Sequence, residues 1–182
     1  EHVDQDAQHT LLIVDGTVGY VVTSAGVVKP IIPDVRLNSH AYALGAAVSP
    51  ATANEYCYDC TTAGTSAASP PVWPTTVGAT VTDGTVVWTC REMAFPSPHV
   101  PTPIFLDGYM FVAKKNTQDI YNCDLNFPLH WSAGNFVSAE MYPDKVVALS
   151  KNNNFLYSVG GQSVQFFEDT ANPTGTPLSN VP

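Results

Sequence analysis

The sequence predicts an all-β protein, and three observations support this fold class. Runs rich in Val and Thr alternate with short stretches of Gly, Pro and Asp, and the chain holds 15 Pro and 12 Gly. Such a composition favours strands joined by turns. Only 13% of the residues are charged, and no window shows the 3.6-residue apolar period of a long amphipathic helix. Hydrophobic residues make up 45% of 182 positions, enough for one ordinary core or two small ones.

One strand pattern occurs three times along the chain. The segments LLIVDGTVGYVV, PIFLDGYMFVAKK and VVALSKNNNFLYSVGG each hold two apolar runs around a turn, predicted at Asp15-Gly16, Asp107-Gly108 and Asn152 to Asn154. A further β-rich stretch follows each of them: GVVKPIIP, QDIYNCDL and SVQFFED. The predicted unit is therefore strand, tight turn, strand, loop, strand. Such a meander, repeated at a fixed period, is typical of the blades of a β-propeller.

The spacing of these turns predicts an insertion. Gly108 and Asn154 lie about 46 residues apart, which matches one period of propeller repeats. Gly16 and Gly108 lie about twice as far apart. Residues 38–93, in between, are richer in Ala, Thr and Pro and lack the repeated pattern. We therefore predict a partial β-propeller of antiparallel meander blades, interrupted by a small inserted β-module.

The predicted domain organisation follows from that insertion. A propeller blade segment spans 1–37, the inserted module 38–93, a proline-rich connector 94–103, and further propeller blade segments 104–182. The prolines of the connector favour extended backbone, so we expect it to be stiff and to make few contacts. Within the module, TVGATVTDGTVVWTC predicts a hairpin with Asp83-Gly84 as a two-residue type I′ turn. We expect the module to fold independently of the blades.

The charge balance argues against direct binding of nucleic acid. The net charge is −9, with seven Lys plus Arg against sixteen Asp plus Glu, and Lys114-Lys115 is the only basic pair. Affinity for DNA rests largely on cations that neutralise phosphates, so no sequence-specific nucleic-acid partner is predicted. The alternative of an acidic surface past which DNA slides without sticking remains, because negative charges repel phosphate. No run of 18 apolar residues exists, and no membrane partner is predicted.

The sequence looks truncated at both ends. The chain begins at Glu1 with no apolar leader and ends on PTGTPLSNVP without an evident closing element. We favour the interpretation that it is a fragment of a longer polypeptide, and a processed mature protein is the alternative.

The cysteines are predicted to be structural and to bind no metal. The chain holds four of them: Cys57, Cys60, Cys90 and Cys123. Cys57 and Cys60 have the spacing of a zinc knuckle, but a second pair at that spacing is missing. In a strand formed by EYCYDC, Cys60 would share one face with Tyr56 and Tyr58. A disulfide between Cys60 and Cys90 across neighbouring strands remains an alternative.

Catalytic constellations are missing, and we predict a protein that is not an enzyme and needs no cofactor. The histidines are His2, His9, His40, His99 and His130, and none forms a His-x3-His pair or lies at metal-ligand spacing from a carboxylate. No Gly-x-Ser-x-Gly motif occurs. Glu140 and Asp144, in SAEMYPDK, could act as an acid/base pair, but a solvated loop between strands is the favoured interpretation.

An aromatic pattern in the inserted module resembles known small domains. It runs through Tyr42-x2-Gly45-x2-Val48, Tyr58, Pro71-Val72-Trp73-Pro74 and Val86-Val87-Trp88. It is similar to a small β-module of tailed-phage structural proteins and to chitin-binding-type carbohydrate modules. The resemblance implies glycan contacts at Tyr42, Tyr58, Trp73 and Trp88, because aromatic faces stack on sugar rings. Those sugar modules carry a Trp where this chain has Arg36 and Leu37. We therefore favour the interpretation that Trp73 and Trp88 form the core of the module, with glycan contact as the alternative.

A longer resemblance covers residues 104–169. Its ordered positions include Asp107-Gly108, Asp124-Leu125, Trp131, Ser138-Ala139-Glu140, Pro143-Asp144, Gly161 and Phe167. This segment resembles the packaged-DNA stabilization or tail hub proteins of short-tailed bacteriophages; Gln165 stands where that family tends to have an acid. The resemblance implies a propeller-bearing virion protein of the tail, assembled in the host cytoplasm.

The resemblance also implies partners. Such a protein sits below the portal, helps to retain packaged DNA, and contacts the portal or adaptor and the needle or fibres. It forms a ring with copies of itself in the full-length protein. Two alternatives follow from other features of the sequence. One is a carbohydrate-binding or host-surface-binding module presented on a propeller, and the other is a glycosidase-like propeller, which the missing acid pair disfavours.

Overall fold

A computed structural model describes residues 2–3, 9–172 and 175–181. All regular structure in these ranges is β-strand, in 18 strands joined by turns and loops. The prediction of an all-β protein is confirmed. No helix in the described residues is long and apolar enough to cross a membrane.

The chain divides into two compact units. The first unit contains residues 1–31 and 95–182, and the second unit contains residues 32–94. The second unit begins before the predicted residue 38, because residues 33–36 bond within it. Ser49 donates its backbone N–H to the Asp34 carbonyl, and Arg36 donates its own to the Ser49 carbonyl, both at 2.9 Å. Independent folding of the second unit stays a prediction.

The first sheet opens the first unit. Its strands are β1 (His2–Val3), β2 (His9–Val14), β3 (Gly19–Thr23) and β4 (Val28–Pro30), paired in chain order and antiparallel. The predicted turn at Asp15-Gly16 is present, within a four-residue loop closed by the pairing of Val14 with Gly19. The Asp15 carboxylate accepts the N–H groups of Thr17 and Val18, each at 2.8 Å. This side chain therefore fixes the loop locally.

The second unit holds two small sheets. Its strands are β5 (Ala41–Tyr42), β6 (Ala47–Val48), β7 (Tyr56–Thr62), β8 (Gly64–Thr65), β9 (Thr80–Asp83) and β10 (Val86–Glu92). Strands β6, β7, β10 and β9 form a four-stranded sheet in that order, and β5 pairs with β8.

The hairpin between β9 and β10 corrects the predicted turn. The two-residue loop is Gly84-Thr85, since Asp83 pairs with Val86 as the last residue of β9. Gly84 has a φ of +66°, whereas Thr85 is not among the residues with positive φ. Positive φ at the first loop position alone indicates a type II′ turn rather than the predicted type I′ turn. The turn starts one residue later because the Asp83 side chain is held in the core of the unit by Arg36.

The middle sheet belongs to the first unit, which the chain re-enters at residue 95. Its strands are β11 (Ile104–Leu106), β12 (Tyr109–Ala113), β13 (Asp119–Asp124) and β14 (Phe127–Ser138), again paired in chain order. Leu106 pairs with Tyr109, so the loop is Asp107-Gly108, with φ values of +45° and +86°. Positive φ at both positions is the type I′ turn, and the predicted turn is confirmed.

The strands of the last sheet are also paired in chain order. Its strands are β15 (Val146–Asn152), β16 (Phe155–Gly160), β17 (Val164–Asp169) and β18 (Leu178–Asn180). Asn152 pairs with Phe155, and Asn153-Asn154 form the loop between them, inside the predicted turn.

The repeating unit has four strands, not the three that the sequence pattern predicts. Strands β14 and β18 complete the middle and last sheets, and β1 precedes the predicted strands of the first sheet. The position of the tight turn within the sheet also differs between the first and the middle sheet. The Asp15-Gly16 turn joins the second and third strands of its sheet, whereas the Asp107-Gly108 turn joins the first and second. The distance between Gly16 and Gly108 therefore does not connect equivalent positions.

The middle sheet is covered on both faces. All five residues of β12 are buried, and side chains alternate between faces along a strand. Phe111 lies in a core with Leu156 and Phe167 of the last sheet. The opposite face carries Trp131, whose ring lies 4.9 Å from the ring of Phe95.

Phe95 links the middle sheet to the first sheet. A Cβ on Gly19 of β3 would lie 2.5 Å from the Phe95 ring and 2.7 Å from Ile31. Only glycine allows this close approach. The three sheets of the first unit are thus packed in the order first, middle, last.

The proline-rich connector differs from expectation, because it is packed into the first unit. Phe95, His99 and Val100 are buried. His99 accepts the N–H of Gly16 at its Nε2 (3.1 Å) and donates its own backbone N–H to the Gly16 carbonyl (2.9 Å). The prolines restrict the backbone of this connector. Its other residues nevertheless make apolar and polar contacts, so the connector is packed rather than solvated.

Candidate functional site

The four aromatic residues predicted to contact glycans come together in the second unit. Tyr58 stacks on Trp73 with ring centres 4.2 Å apart, and the edge of Tyr42 meets Trp88 at 4.9 Å. Trp73 and Trp88 lie 6.4 Å apart. Strands β5, β7 and β10 and the loop before β9 supply one residue each, and together they form an aromatic cluster.

Burial identifies the cluster as the core of the unit. Tyr58 and Trp88 are 0% exposed, and only Tyr42 and Trp73 keep partly exposed rings. The Tyr58 hydroxyl donates to the Pro74 carbonyl at 2.9 Å, so its polar end is satisfied as buried tyrosines require. The faces of Tyr58 and Trp88 are occupied by protein. Glycan contact through Tyr42 and Trp73 stays a prediction.

A buried ion pair lies beside the aromatic cluster. Arg36 and Asp83 meet with Nη2 and Oδ1 2.7 Å apart and Nε and Oδ2 2.9 Å apart. Trp88 Nε1–H donates to Asp83 Oδ2 at 3.0 Å, and the N–H of Ala67 donates to Oδ1 at 2.9 Å. Burial raises the pKa of Asp83, but these hydrogen bonds outweigh it and hold the pKa below its ordinary value.

The sequence pattern missed this pair. Arg36 stands where the carbohydrate modules carry an aromatic residue, and that departure was the available signal. A guanidinium placed among core residues needs a carboxylate partner, and Asp83 is 47 positions away. The arrangement joins several segments of the unit and offers no free group for chemistry.

The cysteines in the second unit are free and buried. Cys60 belongs to the same core cluster as Tyr56 and Tyr58, as strand alternation predicts. Cys60 pairs with Trp88 and Cys90 pairs with Tyr58. The two thiols are therefore not directly opposite, and the alternative of a Cys60–Cys90 disulfide is not realised.

Burial makes two thiols poor nucleophiles and metal ligands. It raises the pKa of Cys57 to about 12 and the pKa of Cys123 to about 12. Cys123 Sγ instead accepts the backbone N–H of Met110 at 3.1 Å, which satisfies that donor inside the middle sheet. In the described part of the chain, no group of three or more His, Cys, Asp or Glu could hold a metal ion.

Glu140 and Asp144 do not form an acid/base arrangement. Asp144 Oδ2 accepts the N–H groups of Gln162 and Ser163 at 2.7 and 3.0 Å, and the Ser163 hydroxyl at 3.1 Å. The Gln162 hydrogen bond and its neighbours lower the pKa of Asp144. A general acid at neutral pH needs a raised pKa. Asp144 therefore fastens the loop before β15 to the loop between β16 and β17.

The arrangement of the first unit defines a class of protein. Three four-stranded antiparallel meanders, packed face to face in chain order, are blades of a β-propeller. A comparison with family models agrees. The family described as Bacteriophage P22 Gp10, beta-propeller, matches residues 57–181. The match covers more than half of the chain, and the chain belongs to this family.

Membership makes the chain a structural protein of a phage tail and thus a component of the virion. The predicted resemblance to phage proteins of this kind is confirmed at the level of the family. The match begins at Cys57, inside the second unit, and therefore includes β7 from its second residue onward, β8, β9 and β10, as well as the middle and last sheets. The resemblance of residues 38–93 to carbohydrate modules stays a prediction. A search of curated proteins found no match.

Proposed function

We propose that this chain is part of a tail hub that lies below the portal and helps to retain packaged DNA. The observation that carries the proposal is the family match over residues 57–181, which spans the middle and last sheets. In this role the chain contacts the portal or adaptor and the needle or fibres, and it performs no catalytic step. Full-length copies assemble into a ring in the host cytoplasm and stay in the virion.

The packing supports a mechanical role. A sheet buried on both faces moves little, because protein interiors are packed as densely as organic crystals. The middle sheet meets this condition, with Phe111, Val112 and Ile120 all 0% exposed. A rigid stack of sheets can hold neighbouring parts of a tail in fixed positions against the pressure of packaged DNA.

The charge supports retention by blocking rather than by binding. A net charge of −9 repels phosphate. A conduit wall built from such a surface lets DNA pass during ejection without sticking. We expect the purified chain to show no measurable affinity for double-stranded DNA at physiological salt, and tight binding would contradict this part of the proposal.

Genome retention tests the role in the phage that encodes the chain. Phe111→Asp places a charge in the fully buried core between the middle and last sheets and should remove the folded protein from particles. Val72→Asp, at a side chain 93% exposed, is the matched control. Both phages should package DNA, and only Phe111→Asp particles should lose nuclease-protected DNA after packaging. Normal retention by Phe111→Asp particles that lack the protein would overturn the proposal.

Glycan binding has weaker support in this structure. Tyr58 and Trp88 lie in the core, which leaves partly exposed rings at Tyr42 and Trp73. Two partial rings offer less stacking surface than the four residues that the sequence predicts. The Trp73→Ala variant and a glycan array would test the alternative, since specific binding lost in this folded variant would support it.

A further inference from the structure

A buried amide in the middle sheet has one polar atom without a protein partner. Asn122 of β13 is 0% exposed, and its Nδ2 donates to the carbonyls of Cys123 at 3.0 Å and Gly175 at 3.2 Å. No described residue donates a hydrogen bond to Asn122 Oδ1. The two carbonyls fix the orientation of the amide, since the reversed amide would place oxygen against oxygen. Buried acceptors are almost always paired, so this Oδ1 requires a donor or a cation.

Further oxygen atoms lie around the same end of β13. The Asp124 carboxylate accepts the Asn135 side chain at 2.7 Å and the Ser132 hydroxyl at 3.3 Å. Both bonds reach Oδ1, so among the described residues none donates to Oδ2. The carbonyl oxygen of Gly134 lies 4.0 Å from the place that a Cβ of Gly175 would take, and the Gly175 carbonyl is the one that the buried amide contacts. Carboxylate, amide and main-chain oxygens are thus gathered in one place.

The sequence at this point has the spacing of a calcium-binding loop. Oxygen-bearing side chains occupy alternate positions at Asn122, Asp124 and Asn126, as in the first half of loops of the type D-x-[DN]-x-[DN]-G. The chain departs from that type at Phe127, where Gly would stand, and at Ala133, where a Glu would supply two oxygens. It is therefore not an EF-hand, and main-chain carbonyls and water would have to supply the other ligands.

Negative charge surrounds this end of the middle sheet. Tyr109 lies on β12, on the face that carries the pairing partner of Asn122. Burial is the largest cause that raises the pKa of Tyr109, and three nearby carboxylates act in the same direction: Asp169, Asp107 and Asp124. Carboxylates close together repel one another, and a cation between them relieves the repulsion.

We propose that a calcium ion binds at this end of β13, with Asn122 Oδ1, the Asp124 carboxylate and the Asn126 side chain as ligands. Calcium accepts amide, carboxylate, main-chain and water oxygens in flexible geometry, whereas magnesium demands a near-ideal octahedron. The ion would tie the middle sheet to the loop between β17 and β18, because Asn122 also holds the Gly175 carbonyl of that loop.

The proposed site differs from the expectation that the protein needs no cofactor, and it involves none of the cysteines. Its affinity should lie at the weak end of the calcium range, with Kd on the order of 10⁻⁴ to 10⁻³ M, because a single carboxylate contacts the ion directly. The site does not depend on the proposed role in the tail.

Isothermal titration calorimetry of the purified chain with CaCl2 tests the site. The wild type should bind one calcium ion, and its melting temperature should rise with CaCl2 concentration, because a ligand that binds the folded state stabilises it. Asp124→Asn keeps an oxygen for Asn135 and Ser132 but removes the charge, so it should lose the binding heat and the rise in melting temperature. Asn126→Gly keeps the backbone, since glycine adopts the φ of +62° found here, and should weaken calcium binding by about tenfold or more.

Controls separate loss of the site from loss of charge or fold. Asp119→Asn makes the same change at the other end of β13, where the carboxylate accepts the Ser138 hydroxyl at 2.7 Å, and it should bind calcium as the wild type does. Circular dichroism spectra of all variants in EDTA should match that of the wild type. MgCl2 at the same concentration should raise the melting temperature of the wild type less than CaCl2 does.

Three results would overturn the proposal. The first is a wild-type chain that takes up no calcium at concentrations well above the expected Kd. The second is an equal rise in melting temperature with MgCl2 or in Asp124→Asn, which would show that cations only screen the net charge of −9. The third is a crystal structure, grown with CaCl2, in which a water molecule without anomalous signal of calcium donates to Asn122 Oδ1.

Discussion

Arg36 and Asp83 form a bidentate ion pair in the interior of the second unit, with side chains only 2% and 0% exposed. Arg36 also donates through Nη2 to the Ala67 carbonyl at 2.6 Å and through Nη1 to Asn38. Trp88 adds its indole N–H to the same carboxylate. One pair of charges thus joins the start of the unit to the hairpin near its end.

Removing one member of this pair should strongly destabilise the second unit. Asp83→Ala leaves the Arg36 guanidinium buried without its carboxylate, and breaking a buried pair in this way costs roughly 3–5 kcal/mol. Asp59→Ala is the control, since the ion pair of Asp59 with Arg91 is partly exposed and should cost about 1 kcal/mol or less. Urea unfolding, monitored through hydrogen exchange of the β10 amides, measures the loss in free energy of unfolding for both variants. Equal losses would contradict the importance of the buried pair.

Gly84 should tolerate no side chain. A Cβ at this position would lie 2.4 Å from the Thr65 carbonyl oxygen, and the φ of +66° adds strain. Gly78 has a φ of +80° but open space around it. Gly78→Ala should therefore cost only the backbone strain of about 1–2 kcal/mol, and Gly84→Ala should cost clearly more. Thermal melts of the two variants make the comparison, and similar melting temperatures would refute it.

The first unit should lose stability as the pH falls below the ordinary pKa of histidine, about 6.5. His99 is 0% exposed and accepts a hydrogen bond at Nε2, so its Nδ1–H donates to the Pro96 carbonyl at 2.9 Å and the ring is neutral. Burial lowers the pKa of His99, although the Pro96 bond and the charge of Asp15 act in the opposite direction. The unfolded chain then binds a proton before the folded chain does, and stability decreases with falling pH.

Melting curves of the first unit between pH 8 and pH 5 check this dependence. His99→Gln should be less stable at pH 8 and should show a smaller decrease toward pH 5. His40→Gln, at an exposed histidine of the second unit, should behave as the wild type. An unchanged pH dependence in the His99→Gln variant would contradict the role of His99.

The second unit should unfold separately from the sheets of the first unit. Trp88→Ala removes the largest fully buried side chain of its core, and such truncations cost about 3–5 kcal/mol. Hydrogen exchange should then show lost protection in β7 and β10 and unchanged protection in residues 104–115. Leu156→Ala should have the reverse effect. If residues 104–115 lost protection together with the second unit, the two units would share one cooperative fold.

Local patterns predicted the parts of the fold that depend on neighbouring residues. Asp107-Gly108 takes positive φ at both positions, which Asp tolerates and Gly prefers, so the type I′ turn could be predicted from two residues. The alternation of Tyr56, Tyr58 and Cys60 on one face follows from the two-residue period of a strand.

Long-range contacts caused the differences. The hairpin of the second unit starts one residue later because Arg36 holds Asp83 in its strand, and no local pattern reveals a partner 47 positions away. Strand β14, FPLHWSAGNFVS, contains small and polar residues without a strict two-residue period. Its pairing with β13 includes two register shifts, so periodicity did not reveal the fourth strand. The proline-rich connector is packed because His99 and Phe95 find distant partners.

Cryo-electron microscopy of the virion, with the chain marked by a small tag at exposed Val72, tests the central claim most directly. The account predicts density for four-stranded meander sheets and for the tag at the junction between portal and tail. Absence of the tagged chain from mature virions, or its location outside the tail, would contradict the assignment to a tail hub.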